Sequence, residues 1–142
     1  MSGPQLSTRL ISAAEIPDAL RPAAEAALTA GSLCCLTRAE TPRRFRRPTV
    51  MEVLYLLGEN RFTVVTATAT GVGVVSTDLR DLRAGTSLST AGFGLAQPTA
   101  EASFSLSGHW VGGNLNDRGS LRILLEGNED GRQFRTRLLA LA

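Results

Sequence analysis

The chain has 142 residues and a formal net charge of +2, and its hydrophobic and charged contents of 43% and 20% are typical of globular proteins. This length is enough to bury a self-sufficient core. We therefore predict one domain over residues 15–142, preceded by a flexible tail over residues 1–14. So small a net charge does not by itself indicate a nucleic-acid-binding protein.

Three features of the sequence bear on the compartment. No apolar run approaches the roughly 20 residues that a membrane-spanning helix needs. The first residues lack the basic-then-apolar order of a signal peptide. Cys34 and Cys35 are adjacent, so a disulfide between them would be strained, since neighbouring strand residues point to opposite faces. These features predict a cytoplasmic protein in a reducing compartment.

The first predicted element is a short helix over residues 16–28. Pro17 suits its first turn and Gly31 suits its end. Pro22 would interrupt a helix interior, so the regular part is expected to begin only near Arg21. The apolar positions of this helix share one face that should pack on a sheet, namely Leu20, Ala24, Ala27 and Leu28.

The next segments predict a strand, a loop and a hairpin. Residues 32–37 favour a strand, whereas residues 38–48 have no apolar periodicity and are expected to form a loop. Two β-rich runs, residues 50–57 and 62–68, then flank the sequence Gly58-Glu59-Asn60-Arg61. This order is typical of an antiparallel hairpin.

Residues 72–77 predict a further strand. They lead into a corner over residues 78–83, whose Leu79 and Leu82 are expected to plug the core. Residues 86–95 are rich in glycine and serine and are compatible with a weak strand or a loop.

The last part of the chain predicts two more strands and a terminal element. Residues 102–107 alternate in polarity, and residues 121–126 form the last strand-like run. Residues 133–141 have apolar positions at helical spacing, with Asp130 as a candidate N-terminal cap. A hairpin that turns at Asp130-Gly131 is the alternative, and we favour the helix.

This order of elements resembles that of the bacterial pleckstrin-homology-like domains. Three segments carry the resemblance: the opening helix over residues 16–28, the hairpin over residues 53–66, and the strand with its Asp-Leu corner over residues 74–82. The resemblance implies a mainly β fold, in which a bent antiparallel sheet or partly open barrel of about seven strands has an N-terminal and a C-terminal helix. It also implies non-catalytic binding of a protein partner or a lipid headgroup. The long segment over residues 86–98 departs from that pattern.

Enzyme chemistry finds little support in the sequence. The one histidine, His109, could pair with Cys34 or Cys35 as a thiol dyad, but no known motif surrounds either cysteine. One histidine and two adjacent cysteines do not supply the paired spacing of a zinc site. We therefore expect no enzyme, no metal and no cofactor, and keep a thiol enzyme as a minor alternative.

The strongest candidate for a binding site is the arginine-rich stretch between residues 38 and 47. Guanidinium groups bind phosphates through bidentate hydrogen bonds, so this stretch could contact an anionic membrane surface or a protein partner. Nucleic acid is the alternative partner, and a solvated loop is the alternative without function. The candidate residues are Arg38, Arg43, Arg44, Phe45, Arg46 and Arg47.

Trp110, the only tryptophan, has two interpretations. It could be an exposed anchor for a partner, a role in which tryptophan is enriched. Alternatively it could close one end of the core, and this second interpretation is favoured.

Overall fold

A computed structural model describes residues 5–28, 31–84, 103–112 and 115–141. Within these ranges the chain forms one antiparallel sheet and two α-helices. The strands are β1 (Gln5–Ile11), β2 (Leu33–Arg43), β3 (Arg46–Leu57), β4 (Arg61–Thr68), β5 (Gly71–Asp78), β6 (Arg83–Ala84), β7 (Phe104–Gly112) and β8 (Leu115–Ile123). The helices are α1 (Arg21–Glu25) and α2 (Glu129–Leu141). Neither helix is long and apolar enough to cross a membrane.

The sheet is a meander that curls into a half-barrel. From β1 to β5 every strand pairs with its neighbour in the chain. Strand β7 pairs along its whole length with β8, and its other side contacts β5 near one end and the two-residue β6 further along. Seven strands of seven residues or more are thus described, which confirms the predicted mainly β architecture.

The concave face of the sheet holds the larger core. Tyr55 and Phe62 lie with their ring centroids 6.0 Å apart, and Phe134 of α2 packs against both. Leu138, one turn further along α2, is also fully buried, so one face of this helix closes the half-barrel. The predicted terminal helix is confirmed.

The cap of helix α2 differs from the expected one. The backbone N–H of Gly131 donates to Oδ1 of Asn128 at 2.8 Å, so Asn128 supplies the cap. Asp130 instead lies inside the helix, where its Oδ2 accepts a hydrogen bond from the backbone N–H of Leu10. The acidic side chain is therefore used to bind β1.

The convex face is covered at one end by the segment that contains α1. Ile16, Leu20 and Ala24 are buried there. The sheet residues beneath them form a second cluster that includes Leu54, Leu56 and Val65. The expected amphipathic helix begins at Arg21 as predicted, but it ends at Glu25, short of the predicted residue 28. It also follows β1, so it is not the opening element that was predicted. Both faces of the sheet are therefore apolar at this end.

The prediction of a flexible tail over residues 1–14 is wrong for its described part, because Gln5–Ile11 forms the edge strand β1. Its ladder with β2 runs from the pair Gln5–Glu40 to the pair Ile11–Cys34. Only Thr8 and Ile11 are buried, so the segment carries little apolar periodicity of its own. Its pairing with β2 defines it as a strand.

A polar seam joins β1 to the segment between β8 and α2. The hydroxyl groups of Thr8 and Thr37 lie 2.8 Å apart, and the backbone N–H of Glu126 donates to the hydroxyl of Thr8. The Asn128 side chain donates to the carbonyl of Thr8 at 2.8 Å. Hydrogen bonds of this seam thus connect the two sides of the half-barrel.

The remaining strand predictions are largely confirmed. The corner after β5 is a 3-10 turn at Leu79–Asp81, next to a fully buried Leu82. Strand β8 begins at Leu115, six positions before the predicted start at residue 121, and it ends at Ile123. The ambiguous segment over residues 86–95 lies outside the described residues.

Candidate functional site

The predicted loop over residues 38–48 is wrong, because β2 continues to Arg43 and β3 begins at Arg46. Only Arg44 and Phe45 form the turn between them. The register shifts between the cross-strand pairs Thr41–Thr49 and Arg43–Arg46. Proline has no backbone N–H to donate to a ladder, so within a sheet it is tolerated where the regular pairing is interrupted. Both prolines of the hairpin, Pro42 and Pro48, lie at this register shift.

The far end of this hairpin extends beyond the rest of the described sheet. The last described pair of β1 with β2 is Gln5–Glu40, and the last pair of β4 with β3 on this side is Ala67–Glu52. Within the described part of the chain, β2 and β3 pair only with each other beyond Glu40 and Glu52. We call residues 41–51 the ribbon and residues 43–47 its tip; the ribbon contains no acidic residue.

Phe45 occupies the apex of the ribbon in an unusual conformation. It has a φ of 64°, and among the described residues it is the only non-glycine with a positive φ. Its side chain is 91% exposed. A left-handed conformation costs an ordinary residue roughly 1–2 kcal/mol, so this position would suit glycine better. The chain has a large apolar side chain at this exposed turn despite the cost.

Four arginines flank Phe45 in the sequence of the tip. Arg43, Arg44, Arg46 and Arg47 are all exposed, and no ion pair is found for them among the described residues. The guanidinium carbon of Arg44 lies 5.1 Å from the ring centroid of Phe45, within the range of a cation–π contact. The tip therefore combines unneutralised positive charge with one apolar group.

Arg38 does not belong to this cluster, although the sequence grouped it there. It lies opposite Glu52 in the ladder, and its guanidinium is 3.8 Å from a carboxylate oxygen of Glu40. Two acidic residues thus offset its charge at the base of the ribbon.

The anchor interpretation of Trp110 is wrong. The side chain is only 3% exposed and meets the ring of Phe62 edge-on, with centroids 6.2 Å apart. Its indole N–H donates to the carbonyl of Gly119 at 3.1 Å. Trp110 is a core residue whose polar atom is satisfied by the neighbouring strand.

The two cysteines do not have the properties of a nucleophile. Both are buried and free. Burial raises the pKa of Cys34, and burial together with the nearby Asp130 raises the pKa of Cys35 to about 12. Both thiols therefore stay protonated at neutral pH, whereas nucleophilic cysteines need a depressed pKa. His109 lies on β7, separated from β2 in the sheet by β3, β4 and β5.

A second surface feature was not anticipated from the sequence. A cleft of about 460 Å³ lies between α1 and the turn that joins β3 to β4. Ala23, Ala26 and Ala27 form its apolar wall, and Arg61 on the opposite side donates to the hydroxyl of Ser76 at 2.8 Å. Such small and scattered side chains give no sequence signal. No group of three or more potential metal ligands occurs among the described residues.

Comparisons with protein-family models, curated proteins and solved structures give no significant match for this chain. The resemblance to pleckstrin-homology-like domains therefore stays a prediction. The tip of the ribbon combines four exposed arginines with an exposed phenylalanine and is the candidate binding surface.

Proposed function

We propose that this protein is a non-catalytic binding module that docks on an anionic membrane surface through the tip of its ribbon. The observation that carries the proposal is the cluster of four exposed arginines around Phe45, on a two-stranded projection without acidic residues. Arginine forks bind phosphate oxygens in pairs of hydrogen bonds, which suits the phosphodiesters of a lipid surface.

The charge of the tip is large enough to matter. A basic residue near an anionic leaflet contributes about 1 kcal/mol, so the four arginines together supply roughly 4 kcal/mol. This corresponds to about a thousand-fold gain in partitioning, and salt should weaken it. The position of the tip also favours docking, because the covered part of the sheet lies at the opposite end of the hairpin.

A membrane is favoured over nucleic acid because of where the aromatic residues lie. Single strands are bound on platforms of exposed aromatic rings that stack with successive bases. Among the described aromatic side chains, Phe45 alone is exposed, and the others, Tyr55, Phe62, Phe104, Trp110 and Phe134, are buried. One apical ring suits insertion between lipid headgroups better than it suits stacking along a strand.

Vesicle co-sedimentation tests the proposal. The full chain is mixed with vesicles of phosphatidylcholine alone or of phosphatidylcholine with about 30% phosphatidylserine. Each mixture is tested at low and at high salt. We expect salt-sensitive binding to the anionic vesicles only. The variant Arg44→Ala/Arg46→Ala should bind roughly 30-fold more weakly, as the loss of about 2 kcal/mol implies.

The matched control is Arg132→Ala/Arg137→Ala, which removes the same charge from the exposed side of α2. It should bind within about twofold of the wild type, because these residues lie away from the ribbon. Equal losses in the two variants would mean that net charge alone drives binding and would contradict the proposal. So would absence of vesicle binding, or tighter binding to duplex DNA or to an acidic protein at the same salt.

A further inference from the structure

The arginines account for attraction to an anionic surface, but they do not account for Phe45. A charged residue or glycine at the apex would serve electrostatic binding equally well, and glycine would avoid the backbone strain. Instead the position with φ 64° carries a phenylalanine that is 91% exposed. The apex therefore presents an apolar group that its own fold does not bury.

We propose that Phe45 enters the interface of the bilayer, so that the ribbon distinguishes loosely packed anionic membranes from tightly packed ones of the same charge. This inference rests on the proposed docking of the tip on a membrane. Binding would then depend on the packing of the lipids as well as on the charge that the arginines recognise.

The geometry of the turn supports insertion. Arg43 and Arg46 are cross-strand partners at the base of the turn, and Phe45 lies beyond them at the apex. When the guanidinium groups of this pair contact lipid phosphates, the ring extends further toward the acyl chains. Apolar side chains of peripheral proteins enter the region between headgroups and acyl chains in this manner, to a depth of about 5–10 Å.

The tip is also organised before it binds. The turn has only two residues, a register shift precedes it, and the guanidinium of Arg44 lies over the ring of Phe45. A group that is already held in its bound arrangement loses less conformational entropy on binding than a flexible one. The cation–π contact keeps a positive charge beside the ring.

Insertion makes binding depend on lipid packing. The ring must enter a gap between headgroups, and such gaps are frequent in unsaturated or strongly curved bilayers and rare in saturated, flat ones. Interfacial binding of apolar side chains is accordingly sensitive to curvature and lipid composition. Arginine–phosphate contacts alone would make no such distinction at equal charge.

A vesicle experiment with matched charge tests the inference. Loosely packed dioleoyl vesicles and tightly packed dipalmitoyl vesicles of equal phosphatidylserine content are compared at 25 °C and low salt. Immobilised heparin serves as a control, because it is a polyanion into which an apolar side chain cannot insert. We expect the wild type to bind the dioleoyl vesicles about tenfold more tightly. Phe45→Ala should lose this preference yet elute from heparin at the wild-type salt concentration. Phe45→Trp should retain the preference.

A fluorescence experiment measures insertion directly. The variant Phe45→Trp is made in a Trp110→Phe background, so that the introduced indole is the only one. On dioleoyl vesicles its emission should shift to shorter wavelength, and brominated lipids should quench it while iodide does not. If the double variant does not fold, the comparison of wild type with Phe45→Ala still decides the question.

The two proposals fail in different ways. Wild-type protein that binds neither type of vesicle overturns the membrane function itself. Binding that is salt-sensitive but equal on the two types of vesicle overturns only the insertion of Phe45. Quenching of the introduced indole by iodide on bound vesicles does the same.

Discussion

The two ends of the β2–β3 hairpin share one hydrogen-bonded ladder and have opposite surroundings. At the base, Tyr55 faces the core inside the half-barrel, and its neighbour Leu56 faces the cluster beneath α1. In the ribbon, every side chain from residue 41 to residue 49 is exposed. The same two strands therefore pass from a region covered on both faces to a region covered on neither.

The ladder specifies the shape of the hairpin, while the elements packed against each end decide what that end can do. Strands covered on both faces read as continuous apolar runs. Strands covered on neither face are free to carry charge, and the tip carries four arginines within five residues. Stability is expected to reside at the base, and binding at the tip.

The largest expected effect compares two phenylalanines at the two ends. Phe62 is fully buried and contacts the rings of Tyr55, Phe134 and Trp110. Phe62→Ala should lower the free energy of unfolding by about 3–5 kcal/mol, because it leaves a cavity in the core. Phe45→Ala should change it by less than about 0.5 kcal/mol. Urea denaturation followed by circular dichroism measures both.

Similar losses of stability for the two substitutions would contradict the assignment of stability to the base and binding to the tip. In particular, a loss of several kcal/mol on Phe45→Ala would mean that the ribbon packs on another part of the protein and is not free to bind a surface.

The next effect concerns thiol reactivity. Burial holds the pKa of Cys35 at about 12, whereas an exposed cysteine introduced by Phe45→Cys should titrate near ~8.5. At pH 8 the native thiols should react with a disulfide reagent at least about 100-fold more slowly than the introduced one. Between pH 8 and pH 10 the rate of the introduced thiol should level off, while that of Cys35 should keep rising, because its thiolate fraction still increases.

The wild type and a Cys34→Ala/Cys35→Ala variant serve as controls for this measurement. Rapid labelling of the folded wild type at neutral pH would restore the thiol-enzyme alternative, which requires an exposed and ionised cysteine.

A third and smaller effect concerns the backbone strain at the apex. Phe45→Gly should raise the melting temperature by about 2 °C, because glycine accepts a positive φ without steric cost. Arg44→Gly is the matched control, since Arg44 has no positive φ, and it should lower the melting temperature slightly. A lower melting temperature for Phe45→Gly would show that the ring stabilises the fold, and the functional reason for keeping it would disappear.

The sequence predicted those parts of the fold in which a segment carries its own apolar signal. Residues 50–57 and 62–68 form the expected hairpin, because both faces of β3 and β4 are buried near the turn. Helix α2 follows from the spacing of Phe134 and Leu138. The alternation that places Phe104 and Leu106 in the core also places Trp110 there, as the favoured interpretation held.

The two main errors concern segments that are strands because of their partners. Strand β1 and the ribbon bury few side chains of their own, so neither has the periodicity that marks a strand. The prolines of the ribbon suggested a loop, and the register shift that accommodates them is invisible without the cross-strand pairing. The arginines of the tip are neighbours in the sequence, but the positive φ of Phe45 depends on the two-residue turn, which the sequence did not predict.

The polar seam has a consequence for the order in which the molecule is built. Its hydrogen bonds from Glu126 and Asn128 to Thr8 join residues 118 and 120 positions apart, whereas β3 and β4 meet across a turn of a few residues. The entropy lost on closing a loop grows with its length, so a contact of this kind forms favourably only once the intervening strands have shortened the effective distance. We therefore expect the half-barrel to close late in folding, after the hairpins have formed.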